Sequence, residues 1–234
     1  MSGHSRWAQI HRQKGVADAK KGAVFTKLGN VITVAAREGG GGSPDSNFKL
    51  RLAIDQARAA NMPKENIDRA IKRGTGELSG GQLETVLYEG FGPEGVAVVV
   101  ECLTDNRNRT SSEIKHIFTK YGGSLGAPNS VMWMFEKLGV LRLAKIDENL
   151  ELELIDKEAK DIKEEEGGVT IFCEPKNLQA IKKLLEDKKI EVEYAAVDLV
   201  AKEKRAAAEE KLKDFFAALD ENVDVNDYYT NAEV

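Results

Sequence analysis

Residues 83–103 read LETVLYEGFGPEGVAVVVECL, and this stretch predicts the fold class of the chain around it. Residues 83–89 and 96–103 are rich in β-branched, aromatic and leucine side chains, which is typical of strands. Three glycines and a proline lie between them, so we expect a turn that pairs the two strands. Because residues 96–103 are apolar at nearly every position, we expect the second strand to be buried on both faces.

The residues that follow predict a helix and two more strands. Thr110 and Glu113 match a capping box with Thr110 at the N-cap, so we expect a helix that runs to Tyr121 and ends at the glycines behind it. Residues 131–135 and 139–143 have the composition of two further strands. The β-β-α-β order indicates an antiparallel sheet with helices on one face.

A second unit of this kind is predicted between residues 138 and 200. It comprises the strand 139–143, a helix at 149–155, a hairpin over 162–174, another helix, and the strand 190–199. The alternating leucines of residues 149–155 also fit a strand, but the acidic flanks and Asp147 as a cap favour the helix. A charged helix is predicted from Lys202 to Leu219. We predict that this helix and the tail that follows it supply the helix and strand that the first unit lacks. The alternative is a separate C-terminal helix.

The first 80 residues combine helical periodicity with positive charge. Apolar residues recur at three- and four-residue spacing over 17–37, after Ser46 and after Pro63, which predicts three helices. Residues 1–79 hold fourteen lysines and arginines against seven acids, a net charge of +7, whereas the whole chain carries −5. The remainder therefore carries about −12, and a basic head on an acidic body is typical of a protein that binds a polyanion.

Together these elements predict an α+β chain of three domains. We expect an N-terminal three-helix bundle and two ferredoxin-like α/β sandwiches, the second inserted in the first. The predicted boundaries are residues 1–80 for the basic helical domain, 81–136 with 201–234 for the first α/β domain, and 137–200 for the inserted domain.

Candidate nucleic-acid contacts lie at the N-terminus, because phosphate neutralisation needs a dense set of lysines and arginines. Residues 1–15 are interpreted as a basic arm that nucleic acid orders, with a flexible tail as the alternative. We expect Trp7 and His11 to stack on an unpaired base, although Trp7 alternatively packs on the bundle. The predicted phosphate contacts are Arg6, Arg12, Lys14, Lys20, Lys21 and Lys27.

Arg107 and Arg109 form a second candidate phosphate site. They lie just before the predicted helix N-terminus, whose partial positive charge disfavours two cations unless an anion is present. The alternative is that each forms a salt bridge with an acid elsewhere in the chain.

Several functional classes lack their motifs in this sequence. Cys102 and Cys173 lie far apart in apolar runs, so neither a disulfide framework nor a zinc site is expected. The three histidines form no HExxH pattern, and residues 74–81 lack the spacing of a phosphate-binding loop. We therefore expect a protein that is not an enzyme, without cofactor, metal site or small-molecule substrate. Since we find no export signal and no apolar run of about 18 residues, we expect a cytoplasmic protein without a membrane contact.

Four motifs together resemble the YebC/PmpR family of probable transcriptional regulators. They are GHSRW at residues 3–7, NMPKENI at 61–67, YEG at 88–90 before Gly92-Pro93, and TDNRNRT at 104–110. The resemblance covers essentially the whole chain and implies three domains, one helical and two α/β. It also implies a cytoplasmic, DNA-binding protein and no set of catalytic residues.

The same resemblance leaves the partner open. A mitochondrial relative activates synthesis of a cytochrome oxidase subunit, and bacterial relatives are implicated in helping ribosomes past proline-rich stretches. We predict a non-enzymatic nucleic-acid-binding regulator, with promoter DNA and transcription regulation as the first hypothesis. The alternative is a translation factor that binds ribosomal RNA on the ribosome. An alternative of another class is a protein-interaction adaptor that acts through the acidic α/β domains.

Overall fold

A computed structural model describes residues 18–79, 81–165 and 168–233 of the chain. Within these ranges the helices come first, and strands follow from residue 84. The helices are α1 (Asp18–Glu38), α2 (Phe48–Ala59), α3 (Lys64–Gly74), α4 (Arg107–Lys120), α5 (Glu148–Asp156), α6 (Leu178–Asp187) and α7 (Glu209–Glu221). The strands are β1 (Glu84–Phe91), β2 (Ala97–Thr104), β3 (Ser124–Leu125), β4 (Phe135–Leu143), β5 (Ala159–Glu165), β6 (Gly168–Cys173), β7 (Val192–Ala201), β8 (Arg205–Ala206), β9 (Val225–Thr230) and β10 (Ala232–Glu233).

Helices α1, α2 and α3 pack around one apolar core, as the three- and four-residue spacing predicts. Asn47 joins two of them. Its Oδ1 accepts a hydrogen bond from the Leu50 amide at 3.0 Å and so caps α2, while its Nδ2 donates to the Ala35 carbonyl of α1 at 2.8 Å. The core is formed by Leu28, Ile32, Ala35, Ala36, Leu50, Ala53, Ile54, Ala57, Met62, Ile67 and Ala70.

The first sheet has the strand order β3-β1-β2-β9, and α4 and α7 cover one of its faces. Aromatic rings hold these helices to the sheet. Phe118 of α4 meets Phe215 of α7 edge to face at 5.1 Å, and Phe216 stacks on Tyr228 of β9 at 4.9 Å. Because β9 pairs with β2, the C-terminal helix and strand complete the first sheet.

The second sheet has the order β5-β6-β4-β7, and α5 and α6 pack against it. Its element order, β-α-β-β-α-β, and its strand neighbours are those of a ferredoxin-like unit. The first sheet orders its strands differently, because its two central strands, β1 and β2, are joined by a hairpin. The α+β class holds, and the second sheet lies in sequence between β3 and β9 of the first. On this topology we propose the domain boundaries 1–80, 81–136 with 201–234, and 137–200.

The predicted strand at 131–135 is wrong. Met132–Met134 form a turn of 3-10 helix, and the buried Glu89 of β1 explains why. Its carboxylate accepts hydrogen bonds of 2.7 to 3.0 Å from the amides of Asn129, Val131 and Met132. These amides are therefore unavailable for a strand ladder.

The predicted break before Gly139 is also wrong, because β4 runs unbroken through it and pairs with β6 on one side and β7 on the other. A Cβ at Gly139 would lie 2.7 Å from the sulfur of Cys173. Glycine at this position therefore lets β4 pack closely against Cys173, and a glycine inside a strand often marks such a close approach.

Helix boundaries differ from the prediction at two further points. Helix α4 begins at Arg107, and its cap is Asn106, whose Oδ1 accepts from the Arg109 amide at 3.1 Å, so the Thr110 capping box is wrong. The charged C-terminal helix begins at Glu209 rather than Lys202, because residues 205–206 pair as β8 with β10. In the second case a long-range partner outweighs the local pattern, whereas in the first a different local cap, Asn106, replaces the predicted one.

The open face of the first sheet meets the second sheet through an apolar layer that includes Val99, Phe135 and Tyr229. Asp198 of β7 is buried, with 3% of its surface exposed, and both its carboxylate oxygens lie 2.9 Å from the Tyr194 hydroxyl. Burial raises the pKa of Asp198 to about 7. The Tyr194 hydrogen bond opposes the shift, and the negative charge of Glu101 adds to it.

We predict that Asp198 makes the protein less stable as the pH rises from about 4 to 7. In that window the native state holds a proton at Asp198 that the unfolded chain has released, since its unfolded pKa is 3.8. The free energy of unfolding therefore falls by up to about 1.4 kcal/mol per pH unit from this group. Urea denaturation between pH 4 and 8 measures the slope, and Asp198→Asn should flatten it and be more stable than wild type at pH 8.

Asp187→Asn is the control, because Asp187 is exposed at the end of α6. It should leave the pH dependence unchanged. Parallel curves for wild type and Asp198→Asn would show that Asp198 is already ionised at acidic pH.

Candidate nucleic-acid interface

Most of the predicted N-terminal contacts lie outside the described residues. These are Arg6, Trp7, His11, Arg12 and Lys14. Lys20 and Lys21 lie in the first turns of α1, where the structure describes the backbone path but not these side chains. Their role in phosphate binding stays a prediction.

Lys27 is placed inside the molecule rather than on its surface. It is 4% exposed, and its Nζ donates a hydrogen bond of 2.7 Å to the Asp220 carbonyl at the end of α7. Burial lowers the pKa of Lys27, and the charge of Asp220 opposes that shift. A side chain held in this way does not reach a phosphate, so we leave Lys27 out of the proposed contact surface.

Arg109 belongs to a hydrogen-bond network at the start of α4. Its guanidinium lies 2.9 Å from Asp224, which is 7% exposed, and 3.2 Å from Asp105. The hydroxyl of Thr110 donates to the same Asp224 carboxylate at 2.7 Å. The salt-bridge alternative therefore describes Arg109 in this structure, and the pair ties α4 to the segment that leads into β9.

Arg107 is more accessible. Its side chain is 64% exposed, and its Nε donates to Glu84 of β1 at 2.6 Å. This hydrogen bond lowers the pKa of the Glu84 carboxyl. An exposed ion pair of this kind contributes little to stability and opens readily, so Arg107 remains a candidate phosphate contact.

The helical domain contacts the α/β part through groups other than its exposed cations. Phe48 and Leu52 of α2 pack on the core of the second sheet. Asp55, also on α2, lies 2.6 Å from Lys182 of α6, whose side chain is only 10% exposed. Across this contact the acid comes from the basic domain and the lysine from the acidic one.

Helix α3 carries exposed cations that the candidate list omitted. None of them has an acidic partner within ion-pair distance among the described residues. They were visible in the sequence only as part of the charge count, although Arg69 and Arg73 have the four-residue spacing of one helix face. We call Lys64, Arg69, Lys72 and Arg73 the α3 cations.

A groove of about 350 Å3 lies between α1 and α3 beside two of the α3 cations. Arg69, Arg73 and Asn66 line it from α3, and a stripe of α1 faces them. The α1 stripe consists of Gly22, Phe25, Thr26, Gly29 and Asn30, and Met62 and Ala70 complete the lining.

Two further properties concern the described residues alone. They contain no group of three histidine, cysteine or acidic side chains placed to hold a metal ion. Among them we find no helix that combines the length and the apolar character of a membrane span.

Two family models match the chain. One, described as the TACO1/YebC protein N-terminal domain, matches residues 5–77, and the other, described as the TACO1/YebC second and third domain, matches residues 83–232. The chain belongs to the TACO1/YebC family. The resemblance seen in the motifs is therefore confirmed.

Other TACO1/YebC proteins align over the full length of this one. A probable transcriptional regulatory protein of Thermoanaerobacter pseudethanolicus is 48% identical over 100% of this chain and 98% of its own. One of Thermotoga maritima is 47% identical over 100% of this chain and 94% of its own. The crystal structure of a conserved hypothetical protein from Aquifex aeolicus superimposes with a TM-score of 0.85 at 42% identity, covering 98% of this chain and 97% of that one.

We predict different outcomes for the two arginine sites of this TACO1/YebC protein. Asp224→Asn removes the charge that binds Arg109 and Thr110 in a buried network, so the free energy of unfolding should fall by about 1–3 kcal/mol. Arg107→Ala breaks only an exposed pair and should change it by less than about 1 kcal/mol. Chemical denaturation measures both, and equal effects would contradict the structural role of Arg109.

Proposed function

We propose that this protein is a nucleic-acid-binding regulator without catalytic activity, and that its basic helical domain contacts the phosphates. The observation that carries the proposal is the set of α3 cations, which are exposed and lack acidic partners among the described residues. Lysine and arginine in such a state can release counterions when they meet a polyanion, which supplies sequence-independent affinity. The net charge of +7 for residues 1–79 supports the same surface.

The relatives' names favour transcription as the process that is regulated, since the two full-length relatives are called probable transcriptional regulatory proteins. On this hypothesis the partner is promoter DNA. Phosphate contacts position a protein on a duplex but carry no sequence information. We therefore expect the cations to supply affinity, and the choice of target to depend on contacts with base edges or on the shape of the DNA.

A ribosome-associated role is the second candidate, and the groove between α1 and α3 favours it. RNA is recognised largely at unpaired nucleotides, which enter concave sites, whereas a DNA duplex needs an element that fits its grooves. On this hypothesis the partner is ribosomal RNA on the ribosome.

We predict that the N-terminal cations account for much of the salt dependence of binding. In Arg12→Ala/Lys14→Ala/Lys20→Ala/Lys21→Ala, the slope of log affinity against log salt concentration for a single-stranded oligonucleotide should decrease in magnitude by about 3, since each lost phosphate contact contributes about 0.7. Fluorescence anisotropy between about 50 and 200 mM salt covers the range over which such slopes are usually resolved.

The matched control removes four exposed lysines from helices of the α/β part, in the variant Lys115→Ala/Lys120→Ala/Lys183→Ala/Lys213→Ala. It loses the same charge and should keep the wild-type slope. An unchanged slope in the N-terminal variant, or an equal loss in the control, would refute these four N-terminal residues as phosphate contacts.

Crosslinking in cells followed by sequencing of both DNA and RNA separates the two candidates. Enrichment of promoter DNA is expected for the transcription hypothesis, and enrichment of ribosomal RNA for the translation hypothesis. Recovery of neither, with protein partners retained after deletion of residues 1–79, would favour the adaptor.

A further inference from the structure

Two glycines lie inside helix α1, although close packing against the described residues does not require a glycine at either position. Glycine in a helix interior costs about 1 kcal/mol relative to alanine. Among the described residues, a Cβ built at Gly22 meets no atom within 4 Å, and one at Gly29 meets only the Met62 methyl at an ordinary 3.7 Å. Neither glycine has a positive φ angle. The bundle would therefore accept side chains at both positions.

Gly74 at the end of α3 shows the contrast. A Cβ there would lie 2.3 Å from the Thr33 carbonyl oxygen of α1 and 2.7 Å from the Ala36 Cβ. This glycine is required by the close approach of α1 and α3. Gly22 and Gly29, by comparison, leave open the α1 wall of the groove, which measures about 350 Å3.

The facing wall carries arginines, which bind anions, and side-chain amides, which can hydrogen-bond to the edge of a nucleic-acid base. Arg69 and Arg73 lie one helical turn apart on α3 and are exposed, and Asn66 lies on the same face. Asn30 contributes a second amide from α1. Within the described chain, the two guanidinium groups have no acidic partner and the two side-chain amides have no hydrogen-bond partner.

Apolar side chains form the rest of the lining. Phe25 is half-buried against the bundle core, and Met62 and Ala70 are buried beneath the groove. An aromatic ring beside arginines is the combination that holds a nucleotide, since the base stacks on apolar surface while guanidinium groups bind its phosphate. The volume also falls in the range of about 300–1,000 Å3 that is usual for sites of small ligands.

We propose that the groove between α1 and α3 binds one unpaired nucleotide of a nucleic-acid strand. The phosphate lies against Arg69 and Arg73, and the base enters beside Phe25, where Gly22 and Gly29 leave space and Asn30 and Asn66 offer hydrogen bonds to its edge. This inference rests on the proposed function and deepens it, because it assigns a base-binding site in addition to the phosphate contacts.

Gly22→Leu tests the site without weakening the fold. Leucine extends from a groove-lining position where a Cβ meets no atom of the described residues within 4 Å, and it favours the helix more than glycine does, so the thermal midpoint should equal or exceed that of wild type. The probes are a single-stranded oligonucleotide of mixed sequence and an abasic strand of the same length, measured by fluorescence anisotropy on the full chain.

Wild type should bind the base-containing strand at least about fivefold more tightly than the abasic strand, which is the lower end of what stacking one base contributes. Gly22→Leu should lose that preference while it keeps wild-type affinity for the abasic strand. Arg69→Ala/Arg73→Ala should also lose the preference. Its matched control, Lys64→Ala/Lys72→Ala, removes two exposed cations from the same helix outside the groove lining and should retain it.

Measuring ribose and deoxyribose versions of both strands shows whether the groove prefers a nucleotide of RNA or of DNA. Loss of the preference for the base-containing strand in the groove variants, with either sugar, supports the site. Equal binding of the two strands by wild type, or an intact preference in both groove variants, overturns the groove while the proposed function stands, because strands are still bound. If wild type binds neither these strands nor a DNA duplex of the same sequence, the proposed function itself fails and the groove falls with it.

Discussion

The contact that governs this molecule is the one by which its basic helical domain rests on its acidic α/β part. If the exposed cations of the helical domain paired with acids of the α/β part, their positive charge would be neutralised and could not bind a polyanion. The structure uses other groups instead. Asp55 of the basic domain pairs with Lys182 of the acidic one, and Lys27 donates to the Asp220 backbone carbonyl rather than to a salt bridge. Apolar packing by Phe48 and Leu52 supplies the rest of this contact.

In the acidic α/β part, buried carboxylates likewise bind groups of their own part rather than the exposed cations of the helical domain. Asp224 binds Arg109 and Thr110 where α4 meets the segment before β9, and Glu89 holds three amides of the segment after β3. A buried carboxylate that accepts several hydrogen bonds is satisfied in place and is not free to pair with distant lysines. Positive charge therefore persists along α3 even though the whole chain is net negative.

Sequence patterns were sufficient where structure is set locally. The acidic flanks and Asp147 predicted helix α5 against the strand-like alternation of its leucines, and Asp147 does cap it, accepting from the Leu150 amide at 2.8 Å. The α+β class and the helical bundle followed from periodicity in the same way. Lys27 shows where that reasoning ends: its partner is 193 residues away in sequence, so its burial depends on a packing that no local pattern contains. The groove beside Arg69 needed three-dimensional structure for the same reason, because its walls belong to two helices separated by a third.

Ultraviolet crosslinking of the full chain to a single-stranded oligonucleotide, with the crosslinked peptides located by mass spectrometry, tests the charge separation most directly. The account predicts crosslinks concentrated in residues 1–79, including peptides of α1 and α3, with few in the α/β part. Crosslinks confined to residues 81–233 would contradict it, since the cations of the helical domain would then lie away from the strand.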